Sequence, residues 1–191
     1  MSATVSPLKR LLIEREHARA VHRRPAGIAA LFLILGIAVA CVAWAINNPR
    51  TLPDPSGKVH VHRNLSVAKP QNVSMLPMQR DQEASTVHIE SVHPRIVENS
   101  ANADLTFAIC TTNYPRDTSR LMPQLADVCT SIEPVDGVDL TIGSGSVQKL
   151  VMTVTPHQAG TVSAEGVEVT YSDSWRHGTQ RTGNNVSLHF G

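Results

Sequence analysis

The sequence predicts a single membrane-spanning α-helix followed by an all-β domain. Three observations carry this. Residues 26–46, AGIAALFLILGIAVACVAWAI, hold no charged side chain. After residue 85 short alternating apolar runs are separated by turn residues, and Val, Thr and Ser are plentiful while aromatics make up 4% of the chain, a composition and rhythm suited to half-buried strands. The formal charge of +1 also hides a reversal. Residues 1–25 carry six basic against two acidic side chains, and residues 51–191 carry ten against fourteen.

Residues 1–25 read as a basic cytoplasmic tail. Leu8, Leu11 and Leu12 share one side of a possible amphipathic helix whose arginines suit anionic headgroups, each worth about 1 kcal/mol near the surface. The segment serves as a topology signal, with docking to a cytoplasmic partner as the more specific alternative.

Residues 26–46 read as a transmembrane signal-anchor helix. At a rise of about 1.5 Å per residue they span a hydrocarbon core of roughly 30 Å, and a helix satisfies its own backbone inside lipid. Arg24 and Arg50 bracket the stretch, and Trp44 suits the outer headgroup boundary. Basic before and acidic after places the N-terminus in the cytoplasm and the C-terminal domain outside it, at the cell membrane. Two alternatives stand beside an uncleaved anchor. Ala43-Trp44-Ala45 has the small-x-small form of a signal cleavage site. Ala38-Val39-Ala40 before Cys41 loosely resembles a lipoprotein signal, whereas the plain reading of Cys41 is a small apolar residue within the bilayer.

Residues 47–85 read as an extended stalk. Pro49, Pro53, Pro55, Pro70 and Pro77 fix the backbone and remove donors. Within it, Lys58-Val59-His60-Val61-His62 alternates as an edge strand does.

Residues 86–191 read as the extracytoplasmic domain. Val87, Ile89 and Val92 share one face of a first strand, ended by His93-Pro94. Leu105, Phe107 and Ile109 mark a second, Val138, Leu140 and Ile142 a third, and Leu150, Met152 and Val154 a fourth. Val162 and Ala164 begin a fifth, Val167, Val169 and Tyr171 a sixth across a Glu165-Gly166 turn, and Val186, Leu188 and Phe190 a seventh. About seven strands in some 105 residues is the size and rhythm of an immunoglobulin-like antiparallel β-sandwich. The widely spaced cystine and intervening Trp of true immunoglobulin domains are missing. Cys110 and Cys129 are the predicted disulfide, a staple across the insertion 111–128 worth roughly 3 kcal/mol in the chain-entropy model.

Candidate chemistry is sparse. His60 and His62 project to one side of a strand, as transition-metal ligands do, with Met75, Met78, His88 and His93 as further copper or zinc ligands. The competing reading is solvated linker residues, so no metal or cofactor is assigned. Gly143-Ser144-Gly145-Ser146 is a turn and not a nucleophile elbow. His157, His177, Asp136 and Asp173 sit in loops with no spacing that proposes a hydrolase. Asn64, Asn72 and Asn185 each begin an N-x-Ser sequon. No basic field points to nucleic acid.

The most informative segment is Ser172 to Asn185, SDSWRHGTQRTGNN, which reads as a long polar loop. Trp175, Arg176, His177 and Arg181 make it the candidate partner-binding site, because Trp and Arg are enriched in hot spots. The alternative is that Trp175 folds back to cap the core. The expectation is a single-pass protein whose outer domain binds or assembles with a protein partner and is not catalytic. A metal-handling protein and a hydrolase-like enzyme are the alternatives.

Overall fold

The computed structural model describes residues 29–48, 50–55, 59–76, 83–113, 121–122 and 124–191. The chain divides into two compact units, Met1–Ala45 and Ile46–Gly191. Helix α1, Ala29–Asn47, is 19 residues long and apolar enough to cross a membrane. Its large side chains, Leu31, Phe32, Leu33 and Ile34 among them, point outward rather than into a protein core, as a lipid-facing helix requires. The predicted basic tail and Ala26–Ile28 lie outside the described residues.

Among the described residues the second unit holds ten strands and one short helix. In chain order these are β1 (Val59–Leu65), β2 (Gln71–Ser74), β3 (Ser85–Asn99), β4 (Asp104–Thr112) and β5 (Leu121–Met122). Then follow α2 (Leu125–Val128), β6 (Cys129–Pro134), β7 (Val138–Ile142), β8 (Gln148–Thr155), β9 (Gly160–Asp173) and β10 (Arg176–Phe190). They form two five-stranded sheets, β1-β10-β9-β3-β7 and β5-β2-β8-β4-β6.

Alternation builds the core. Val87 and Ile89 of β3, Leu140 of β7, Val169 and Tyr171 of β9 and Leu188 of β10 are buried on one sheet. Ile109 of β4, Leu150, Met152 and Val154 of β8 and Val73 of β2 are buried on the other, and all belong to one apolar cluster. A second, smaller cluster joins Cys110, Met122 and Val151 to Leu125 and Val128 of α2. The Cys110–Cys129 disulfide is formed; it ties β4 to the start of β6.

The β-rich, two-sheet architecture matches expectation, while the seven-strand immunoglobulin-like arrangement does not. Ten strands are present among the described residues, and β1 pairs with β10 in parallel, a contact foreign to a purely antiparallel sandwich. The extra strands were silent in sequence for physical reasons. β2 is four residues with three consecutive buried positions, β5 is two residues, and β6 has mostly exposed side chains and ends in Pro134. None of them alternates clearly.

Other boundaries also move. β3 continues through Pro94, which faces Val167 of β9. β7 pairs only with Ser85–Ile89, so at Pro94 the far side of β3 has no ladder among the described residues and needs no donor. β9 runs unbroken through Glu165-Gly166 because Gly166 adopts φ +73° and a Cβ there would collide with the Thr182 carbonyl oxygen. The predicted turn is a bulge, matched by a register shift between Thr182 and Asn185 of β10.

Parts of the stretch 47–85, expected as an extended stalk, are built into the domain. It supplies β1 to one sheet and β2 to the other, and Thr51 to Pro53 are bonded to β9 and β10. Thr51 N donates to Tyr171 Oη at 2.9 Å. Leu52 N donates to Gln180 Oε1 at 3.2 Å, and Gln180 Nε2 donates to Leu52 O at 2.7 Å. Thr182 Oγ1 donates to the Pro53 carbonyl. Proline dictates extended backbone, but extended backbone laid along a strand is packed structure.

Candidate functional site

The predicted polar loop 172–185 is mostly strand. β9 and β10 are joined by a two-residue turn, Ser174-Trp175, closed by the pair Asp173 and Arg176. Ser174 takes φ +58°, the left-handed conformation a tight hairpin needs. Trp175 projects from this tip and is 68% exposed. The core is filled instead by Tyr171, which is fully buried.

The four predicted partner-binding residues do not form one site. Arg176 is bonded through Nη2 to Asp173 Oδ2, and Asp173 Oδ2 also accepts from Thr51 Oγ1 at 2.7 Å. His177 is exposed, opposite Ser172. Arg181 lies further along β10, its Nη2 3.0 Å from Glu165 Oε2. Trp175, Arg176 and His177 therefore share the hairpin tip, and Arg181 belongs to the mid-sheet surface.

A row of polar side chains crosses the outer face of the first sheet. His177, Ser172, His88 and Asp139 are register partners on β10, β9, β3 and β7. His88 Nδ1 lies 2.8 Å from Asp139 Oδ1, which orients the ring. Ser172 makes no hydrogen bond to that ring. His88, Asp139 and His177 of this row are exposed. Of the other histidine and aspartate candidates, Asp173 is held by Thr51 and Arg176. His157 Nε2 lies 2.8 Å from Asp104 Oδ2, beside Ala101 and beyond the opposite end of β3 from His88. These groups are not brought together. Only strand register reveals the row, because its members are spread over 90 positions of sequence.

The copper or zinc set is not assembled either. Met75 is in the core with no exposure, His88 and His93 lie on the outer face of β3, and Met78 lies outside the described residues. Among the described residues no group of three or more His, Cys, Asp or Glu is placed to hold a metal ion. His60 and His62 do alternate on a strand, but with the phase opposite to the valines' apolarity. They face the inner side, level with buried Val186 and Leu188, while Val59 and Val61 are 57% and 49% exposed. His62 Nε2 is buried without a hydrogen-bond partner. Burial, and secondarily the charge of His60, lower the His62 pKa below its ordinary value.

That inversion makes β1 the distinctive surface. It is the terminal strand of its sheet, seven residues long, with two solvent-facing valines. At its C-terminal end a cavity of about 320 Å³ is lined by Arg63, Asn64, His189, Phe190 and Gly191. Of the three sequons, only Asn64 is exposed. The Asn72 amide accepts from Thr153 Oγ1 at 2.8 Å, and Asn185 Oδ1 is buried.

Compared with known family models, curated proteins and solved structures, the chain matches none.

Proposed function

We propose that this chain is a single-pass, membrane-anchored, non-catalytic assembly module whose outer β domain binds a protein partner by adding a strand to the edge of β1 that no described strand covers. The edge itself carries the reading. An unpaired strand edge offers a row of backbone donors and acceptors to an extended segment, and alternate side chains supply specificity. Proteins usually blunt such edges with short strands, charge or proline. The other edges follow that rule: β5 is two residues, β6 ends Glu133-Pro134, and β7 carries exposed Asp139. β1 exposes Val59 and Val61 over its first half, with its charged Arg63 confined to the C-terminal half. The charge reversal across α1 and the Cys110–Cys129 disulfide support an extracytoplasmic domain, since disulfides persist in oxidising compartments.

The test is a Val59→Lys/Val61→Lys variant of the full chain, purified from membranes in mild detergent. The proposal expects partner protein to co-purify with the parent chain and to be lost from the variant at unchanged thermal stability. Retention of the same partner by the variant rejects the β1 edge.

A further inference from the structure

We propose that the Ser174-Trp175 tip of the β9–β10 hairpin is a lipid contact, seating Trp175 in the headgroup layer of the bilayer in which the chain is anchored. The proposal rests on α1 being a membrane span. Sequence distance alone gives no reason to connect residue 175 with the membrane; the connection comes from Thr51.

Helix α1 ends at Asn47. The uncharged apolar stretch 26–46 ends one position earlier at Ile46 and carries Trp44 near its end, which puts Asn47 at the boundary of the hydrocarbon core. Four positions later Thr51 is fixed to the hairpin: its amide donates to Tyr171 Oη at 2.9 Å and its hydroxyl to Asp173 Oδ2 at 2.7 Å. Four extended residues reach about 14 Å at most. The headgroup region adds roughly 5–8 Å on each side of the hydrocarbon. The chain therefore holds Asp173 within a short reach of that layer. Trp175 is only two residues beyond Asp173, which spans about 7 Å at most.

The chemistry of the tip suits that layer. An indole has an apolar body and one N–H donor, the combination that enriches Trp at membrane–water boundaries. Trp175 is 68% exposed at a turn, where no fold requirement demands an aromatic residue. Arg50, exposed and adjacent in sequence to Thr51, adds a cation at the same place, which an anionic leaflet attracts. Arg176 and Asp173 neutralise each other across the turn, so no unpaired carboxylate stands beside the indole. The tip then adds a second attachment to the bilayer besides α1 and leaves the β1 edge to a protein partner.

The experiment uses the full chain reconstituted into phosphatidylcholine–phosphatidylglycerol vesicles. Two single-tryptophan variants, Trp44→Phe and Trp175→Phe, isolate the fluorescence of Trp175 and Trp44 respectively. Lipids labelled with a quencher near the headgroup, or deep in the acyl chain, are compared with aqueous iodide. The expected result is blue-shifted Trp175 emission that headgroup-labelled lipids quench and iodide does not. Trp175 emission quenched by iodide and not by lipid overturns the proposal. Emission quenched by neither overturns it in favour of a protein-covered Trp175. Trp44 reports the span itself: lipid quenching of Trp44 without quenching of Trp175 defeats only the tip contact, whereas no lipid quenching of Trp44 defeats the span and the tip together.

Discussion

Tyr171 Oη donates to Gln180 Oε1 at 2.8 Å inside the domain, and the same two side chains receive the segment that follows α1. The Tyr171 oxygen accepts the Thr51 amide, and the Gln180 carboxamide bonds both the N–H and the C=O of Leu52. A buried polar pair of this kind is stable only when its hydrogen bonds are complete. Here the completion comes from backbone 120 or more positions away.

Breaking that pair should loosen the strap that residues 51–53 form along β9 and β10. Gln180→Ala leaves the Leu52 amide and carbonyl without partners in a buried site and deprives the Tyr171 hydroxyl of its acceptor, while the Thr51 amide still donates to Tyr171 Oη. The expected cost is about 1–3 kcal/mol, read by urea denaturation of the β domain. Limited proteolysis should cut residues 50–55 faster in the variant. Unchanged stability and unchanged cleavage would show that the strap is not held by this pair.

Reduction of Cys110–Cys129 should lower stability without abolishing the two-sheet core. The bridge closes 19 positions of sequence, worth roughly 3 kcal/mol in the chain-entropy model. It packs with Val151 and Met122 in the smaller cluster, apart from the main core. A Cys110→Ala/Cys129→Ala chain should therefore still fold, with a lower denaturation midpoint and the same far-ultraviolet circular dichroism.

Stability should fall on acidification through His62. Its folded-state pKa lies below the ordinary 6.5 because burial, then the His60 charge, disfavours the imidazolium. The unfolded chain thus binds more protons than the folded one between the two values. The His62 contribution is fully present above pH 6.5 and is lost as pH falls through the folded pKa. Replacing His62 by Gln should flatten this part of the stability–pH curve; an unchanged acid slope would assign it to other groups.

Gly166→Ala should destabilise the β9–β10 hairpin by about 1–3 kcal/mol. The position has φ +73°, and the new methyl group meets the Thr182 carbonyl oxygen. Thermal denaturation reads the effect. A neutral substitution would mean that the bulge relaxes.

Much of this was legible in sequence, and the misses share a cause. α1 and the strands of Val87–Ile89, Leu105–Ile109, Val138–Ile142 and Leu150–Val154 carry strong periodicity, and the structure places them there. The Cys110–Cys129 pair followed from spacing and compartment. The strap was missed because proline content reports extended backbone and not whether that backbone is covered. The 172–185 segment was misread because its inward positions are Gln180, Thr182 and Asn184, which are polar yet buried; they bond the strap and β2 instead of packing as hydrocarbon. For the candidate sites, the exposure of Trp175 depends on the turn type at Ser174. The inward phase of His60 and His62 depends on their parallel register with β10. Neither is encoded by composition.

The most direct test of the β1 edge is site-specific photocrosslinking in intact membranes, with the photoreactive residue at Val61 and, separately, at Thr179 on the exposed face of neighbouring β10. The account predicts a discrete crosslink to a second polypeptide from position 61, mapped to an extended segment of that partner, and none from position 179. Equal crosslinking from both positions, or none from 61, would contradict it.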